Sequence, residues 1–295
     1  MEAYTDFAAV YDTFMDETPY EEWGVFVSEL IEKYGISKPY AAGVKSSAEG
    51  GESTEMGTTP SENVTLEDTA KALDEEKNLV VELGCGTGSF TMVMAKKGYD
   101  IMGIDLSPEM LDVARRKSSE AGLDIMYLEQ DMRELDLYCT TGTVVSVCDS
   151  INYLLEDEDV VETFKLVNNF LFPKGIFIFD FNTLHKYRDV IGDATIAENR
   201  EDCSFIWENY YHEEEHINEY DVTIFAKCDK DDEIFRRSVE THYQRGYTLD
   251  EMKSFAEAAG LEFVTAIDAD THAEPTDDSE RIYVVCRECG KAVFL

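Results

Sequence analysis

Leu79–Gly88 reads LVVELGCGTG. A short apolar run (Leu79, Val80, Val81, Leu83) ends in the closely spaced glycines Gly84, Gly86 and Gly88, and Phe90–Ala95 continues with helical patterning. Strand, tight turn and helix in that order open a nucleotide-binding α/β sheet. Glycine at alternate positions lets the backbone approach a ligand with no Cβ in the way. Glu82 stands just before the turn, where a negatively charged ligand would be repelled. About twenty residues on, Ile101–Leu106 (IMGIDL) reads as a second strand, with Asp105 near its end and able to accept both hydroxyls of a ribose.

A dinucleotide site asks for G-x-G-x-x-G, with a pyrophosphate on the helix N-terminus. Here the last position of that pattern is Ser89, and Glu82 opposes a pyrophosphate. An acidic residue before G-x-G-x-G suits a cofactor with an ammonium, a sulfonium and no phosphate, which describes S-adenosylmethionine (SAM). Glu82–Gly88 (ELGCGTG) together with Asp105–Leu111 (DLSPEML) resembles the class I SAM-dependent methyltransferases. The resemblance covers roughly residues 1–34 and 78–295, and its motifs are strong for the cofactor and weak for the substrate.

That resemblance implies a cofactor site made from Glu82, Gly84, Cys85, Gly86, Thr87, Gly88, Asp105, Leu106 and Met110, with Cys85 a small residue packed beneath the ligand. Ile125–Leu128 reads as a third strand, and Asp131 and Met132 after it match the positions that meet the adenine amino group and a ring nitrogen in such relatives. Thr143–Val147 reads as the fourth strand. Ligands of open parallel sheets bind beyond the strands' carboxyl ends, so the turn that follows, Cys148–Tyr153 (CDSINY), should face the methyl group. Cys148 and Asp149 are cofactor candidates there, and Asp149, Ser150, Asn152 and Tyr153 are acceptor-side candidates.

The composition narrows the partners. Lys and Arg number 25 against 63 Asp and Glu, a formal charge of −38. So acidic a surface repels phosphate backbones, which makes nucleic acid a poor acceptor. A 295-residue chain with 44% hydrophobic content can bury a substantial core. No basic n-region opens the chain, no apolar run reaches membrane-spanning length, and the odd, scattered set of 7 cysteines fits a reduced cytoplasm.

Along the chain, residues 1–40 read as a helical cap. Phe7, Val10, Tyr11 and Phe14 share one side, and Thr18-Pro19-Tyr20-Glu21 reads as a capping box with Pro at the first helical position. The run from Phe7 to Met15, with Tyr20 and Trp23, resembles the N-terminal cap of a bacterial and archaeal group in the same class, where aromatic residues line a lid over the cofactor. Tyr11 and Phe7 are therefore cofactor contacts or simply core. Residues 41–77 are poor in apolar side chains; 41–61 reads as a mobile surface insertion and 66–76 as a short helix. Residues 78–182 form the cofactor-binding core, ending in an almost wholly apolar fifth strand, Ile176–Phe181.

From 183 to 247 the pattern alternates. Ser204–Tyr211, Ile217–Lys227 and Glu233–Gln244 read as an antiparallel meander, with 229–232 a hairpin loop, and the resemblance makes this sheet a lid over the acceptor. Residues 248–295 return to the core through a capped helix at Thr248 and two strands, Leu261–Ile267 and Arg281–Cys286. The expected fold is α/β: a seven-stranded Rossmann-like doubly wound sheet with an N-terminal helical cap and an inserted antiparallel β-meander.

Two motifs are decoys. His212–His216 (HEEEH) is a literal H-E-x-x-H, but zinc needs it on a helix, and here it separates two alternating runs as a hairpin turn. Cys286–Cys289 (CREC) is a lone C-x-x-C without a second pair. No metal is expected. His242 and Arg245 precede a helix on the acceptor side, where each would position a carboxylate, act on a proton or serve structure alone; His185 is a weaker candidate of the same kind. Asp149 and His242 are the candidate general bases. The sequence thus reads as a cytoplasmic SAM-dependent methyltransferase, monomer or homodimer, that releases S-adenosylhomocysteine and acts on a small-molecule acceptor. The alternatives are a protein acceptor or a non-catalytic SAM-binding module.

Overall fold

The computed structural model describes residues 8–40, 66–228 and 234–291. The expectations for Phe7, the 41–61 insertion and the 229–232 loop lie outside these residues. Two helices, α1 (Ala8–Phe14) and α2 (Tyr20–Tyr34), come first, then α3 (Leu66–Asn78). The alternating core follows as β1 (Val80–Leu83), α4 (Ser89–Lys96), β2 (Ile101–Asp105), α5 (Pro108–Glu120), β3 (Met126–Glu129), β4 (Thr141–Ser146), α6 (Asp157–Phe170) and β5 (Leu171–Asn182). Strands β6 (Thr195–Asn199), β7 (Cys203–His212), β8 (Ile217–Lys227) and β9 (Phe235–Arg245) make a separate antiparallel sheet, and α7 (Leu249–Ala258), β10 (Leu261–Asp268) and β11 (Arg281–Glu288) complete the core.

The core sheet has seven strands in the order β10-β11-β5-β4-β1-β2-β3. Its strands β1 to β5 pair parallel, and β11 runs antiparallel to both β5 and β10. The order reverses between β1 and β4, which opens a crevice at their carboxyl ends, the usual ligand position of an open α/β sheet. Both faces are covered, which is why the strands read as continuous apolar runs. On β5, Phe177, Phe179 and Phe181 pack toward α6 through Phe164 and toward α7, while Ile176 and Ile178 pack toward Phe26, Val27, Leu30 and Ile31 of α2 and Phe90 and Met94 of α4.

Three local expectations need correction. The Thr18 capping box does not form: helix α2 starts at Tyr20, Pro19 sits at the cap, and the Thr18 hydroxyl turns back to Met15 Sδ. Strand β5 begins at Leu171 rather than Ile176, because Pro173-Lys174-Gly175 is absorbed by a register shift opposite Thr141–Thr143 instead of ending the strand. The alternating region holds a further strand, β6, paired along β7. By contrast, Ser107 and Thr248 do cap their helices, the latter with a reciprocal bond from Glu251. No helix among the described residues is long and apolar enough to cross a membrane.

Candidate functional site

The glycine turn joins β1 to α4 with all three glycines at positive φ: Gly84 at 70°, Gly86 at 53° and Gly88 at 73°. Their surroundings differ in a way that marks a cradle. A Cβ at Gly84 would clash with Ser150 Oγ, and one at Gly88 would meet the Tyr127 hydroxyl at 2.6 Å, whereas one at Gly86 would meet nothing within 4 Å. The turn therefore packs tightly at both ends and faces open space in the middle. Asp105, at the end of β2, borders that space, accepting the Gly86 N–H at 2.7 Å and the Ser107 N–H at 2.9 Å. Burial pushes its pKa up, and those N–H groups oppose the shift.

Glu82 lies beneath the turn, 2% exposed, and accepts a short hydrogen bond from the Thr91 hydroxyl. Burial raises its pKa to about 8; the Thr91 bond works against that shift and the nearby Asp105 charge adds to it. Cys85 is buried with Leu111, Ala114 and Tyr127, and burial raises its thiol well above the ordinary range, so it packs rather than reacts. Met110 is buried and Leu106 is 63% exposed at the rim. Met132 Cε comes within 3.8 Å of the Gly84 Cβ position, which brings the loop after β3 to the same crevice. Asp131 caps that loop through the Arg133 N–H and pairs with the Arg133 guanidinium at 2.5 Å. That pairing lowers its pKa.

The turn after β4 is unusual in its backbone. Cys148 (φ 65°) and Asp149 (φ 54°) are consecutive non-glycine residues in the left-handed region, a geometry that costs of order 1–3 kcal/mol per residue. Ser150 Oγ donates to Gly84 O at 3.2 Å, tying this turn to the glycine turn. Tyr11 of α1 lies within hydrogen-bonding reach of Cys148 and Tyr20. The cap thus touches the same crevice as β1, β2 and β4, and the Asp12 carboxylate accepts the Thr87 hydroxyl at 2.6 Å.

Several acceptor-side candidates are occupied otherwise. Asn152 is fully buried and staples Asn182 and the Arg245 carbonyl. Arg245 is not brought to the crevice with the others: its guanidinium pairs with Asp157 at 2.7 Å and Glu251 at 3.4 Å and stacks on Tyr247, fastening β9 to α6 and α7. His185 pairs with Asp189 at the surface. Tyr153 and His242 do meet. The Tyr153 hydroxyl lies 2.8 Å from that of Tyr220, and His242 stacks on the Tyr220 ring at 5.0 Å. Burial lowers the His242 pKa to about 4, so its imidazole is neutral near pH 7.

Sequence reasoning missed the groups beneath the β4 turn. Asp180, with no exposed side-chain area, accepts the Cys148 and Asp149 N–H groups at 3.1 and 2.8 Å. Arg281 bridges Asp180 at 3.3 Å and Asp149 at 2.6 Å. The one signal was a lone acid inside the apolar run IFIFDFN. His212–His216 does form a turn, with His212 on Glu219, and no group of three or more His, Cys, Asp or Glu among the described residues is arranged to hold a metal.

Comparison with known proteins agrees with this architecture. A methyltransferase-domain family model matches residues 80–175. YqeM of Bacillus subtilis (strain 168), a protein assigned provisionally to the methyltransferases, is 32% identical over 95% of this chain and 95% of its own length. A similarly assigned protein of Geobacillus sp. (strain WCH70) is 30% identical over 97% of this chain and 99% of its own. Among solved structures, a SAM-dependent methyltransferase from Clostridium acetobutylicum ATCC 824 superposes with a TM-score of 0.74 at 22% identity, covering 97% of this chain and 99% of that one. The chain belongs to the class I SAM-dependent methyltransferases, and its cofactor is SAM.

Proposed function

We propose that this enzyme methylates a small-molecule acceptor held between the turn after β4 and one face of the β6–β9 sheet. The observation that carries the proposal is the arrangement of that face. Strand register aligns Asn209, Tyr220 and His242 in one row and Trp207, Val222 and Glu240 in the next. Tyr220 then meets Tyr153 of the turn directly. An aromatic wall with a few polar groups, set against the methyl-facing turn, suits a compact organic acceptor better than an extended polymer, and the −38 charge disfavours a polyanion.

When bound, SAM supplies an activated sulfonium methyl for in-line displacement, so the protein's task is alignment and exclusion of water. In this reading Asp105 holds the ribose, Met132 and the Asp131 loop hold the adenine, and Glu82 answers the cofactor's positive end. Tyr11 and the Cys148–Asp149 turn close the methyl-facing side. His242, neutral above about pH 4, is a hydrogen-bonding group on this face, and so low a pKa makes it a weak base, which supports orienting the acceptor over taking its proton. Asp149 is committed to Arg281 and Gln244, which supports a holding role over proton transfer.

The test is calorimetric titration with SAM, followed by an assay of S-adenosylhomocysteine release over amine, hydroxyl, thiol and carboxylate acceptors with a peptide panel alongside. Turnover with small acceptors alone is expected. Turnover only with peptides overturns the small-molecule reading, and SAM binding without turnover throughout favours a non-catalytic module.

A further inference from the structure

Four side chains, Asp180 and Gln244 buried and Asp149 and Arg281 partly exposed, link the turn after β4 to the second sheet. The carboxylate of Asp180, on β5, accepts both N–H groups of the left-handed pair Cys148–Asp149. Arg281, at the start of β11, spreads its guanidinium over three partners: Asp180 through Nη1, Asp149 through Nη2, and Asn182 Oδ1 through Nε. Its face lies 5.6 Å from the Trp23 ring of α2. The second oxygen of Asp149 accepts the Gln244 side-chain N–H at 2.8 Å, and the Gln244 carbonyl accepts the Tyr187 hydroxyl at 2.8 Å. The relay therefore runs from β9 through Gln244 to Asp149 and on through Arg281 to Asp180.

Three physical points give this relay a role. The left-handed pair is costly for non-glycine residues and persists only if its surroundings over-determine it. Asp180 does so, holding two adjacent N–H groups with one buried carboxylate through charge-assisted bonds. A carboxylate without exposed area needs a partner, and Arg281 supplies it while also fixing Asp149. Gln244, buried on β9, lies two residues from His242 and on the same strand face. A shift of the second sheet is thereby felt at the turn.

We propose that Asp180 and Arg281 are positioning residues that hold the Cys148–Asp149 turn in its cofactor-ready form, and that Gln244 couples this turn to the sheet proposed to cover the acceptor. The inference rests on that reading of the turn as the methyl-facing wall.

The test uses the full chain, with SAM as the probe, in wild type, Asp180→Asn and Gln244→Leu. Calorimetry gives SAM affinity, and hydrogen exchange follows the amides of residues 147–153. SAM affinity is expected to fall at least fivefold in Asp180→Asn and at least threefold in Gln244→Leu. Exchange should speed up over 147–153 in both, while amides of β1 and β2 keep their wild-type rates. If Asp180→Asn fails to fold, Gln244→Leu decides. Wild-type SAM affinity in the folded variants overturns the proposal, as does exchange accelerated uniformly over the core. A wild-type chain that binds no SAM would instead strike at the reading of the turn itself.

Discussion

The Asp12 carboxylate of α1 lies 2.6 Å from the Lys117 ammonium of α5 and 2.6 Å from the Thr87 hydroxyl in the glycine turn. Lys117 also donates to Ser89 Oγ at 2.7 Å, so one carboxylate gathers the cap, the turn and the α4 N-terminus. The pair is partly exposed, which leaves it worth about 1 kcal/mol. Asp12→Ala should weaken SAM binding about three- to tenfold and speed chymotrypsin cleavage at Tyr11 and Phe14 of α1. Calorimetry and timed proteolysis check both.

Glu82 makes a prediction about protons. Its folded pKa of about 8 lies above the unfolded value of 4.5, so the unfolded chain ionises first and the buried carboxyl costs increasing stability as pH rises through that window. A cationic ligand above the turn stabilises the ionised form. SAM binding at pH 7 should therefore release a sizeable fraction of one proton, seen as a binding enthalpy that differs between phosphate and Tris buffers. Glu82→Gln should remove the difference, and an unchanged difference in that variant would assign the proton elsewhere.

The glycines of the turn should respond unequally to alanine. Gly84→Ala drives a Cβ into Ser150 at a φ of 70° and is expected to lower thermal stability by several degrees. Gly86→Ala meets no neighbour, so its stability loss is confined to about 1 kcal/mol of backbone strain. Yet its methyl enters the space the cofactor is to use, and SAM affinity should drop at least tenfold. Melting curves with and without SAM separate the two effects.

His242 sets an acid limit. Its folded pKa of about 4 lies below the unfolded 6.5, so the unfolded chain gains a proton first as pH falls. The cost grows between about pH 6.5 and 4, reaching about 2–3 kcal/mol. His242→Phe should retain more of its neutral-pH stability at pH 4.5 than wild type does. Parallel denaturant midpoints at pH 7.5 and 4.5 supply the comparison.

How far the sequence could be read depended on whether a feature was local. Gly84, Gly86, Gly88 and Asp105 are legible because a tight turn imposes its own spacing, and Ser107-Pro108 and Thr248–Glu251 because caps are made within one helical turn. The Thr18 box failed for the same kind of reason, since Pro19 took the cap position itself. Strand β6 escaped because an exposed edge strand needs no clean alternation, and TIAEN offers none. The Asp180–Arg281 pair was out of reach. Its partners lie 101 residues apart and meet only through the antiparallel register that pairs Arg281 with Asn182, which no local pattern encodes.

Helix α1 is gripped from two directions. Asp12 fastens it to the core, while Phe14 packs on Phe205 of β7 at 4.7 Å and Arg200, in the turn between β6 and β7, pairs with the Thr13 carbonyl and, just past the helix, with Asp16 at 2.6 Å. One short helix is thus a strap between the glycine turn and the second sheet. Loosening either grip should therefore be felt at the other: a Phe14→Ala chain should show faster amide exchange both in the glycine turn and along β7.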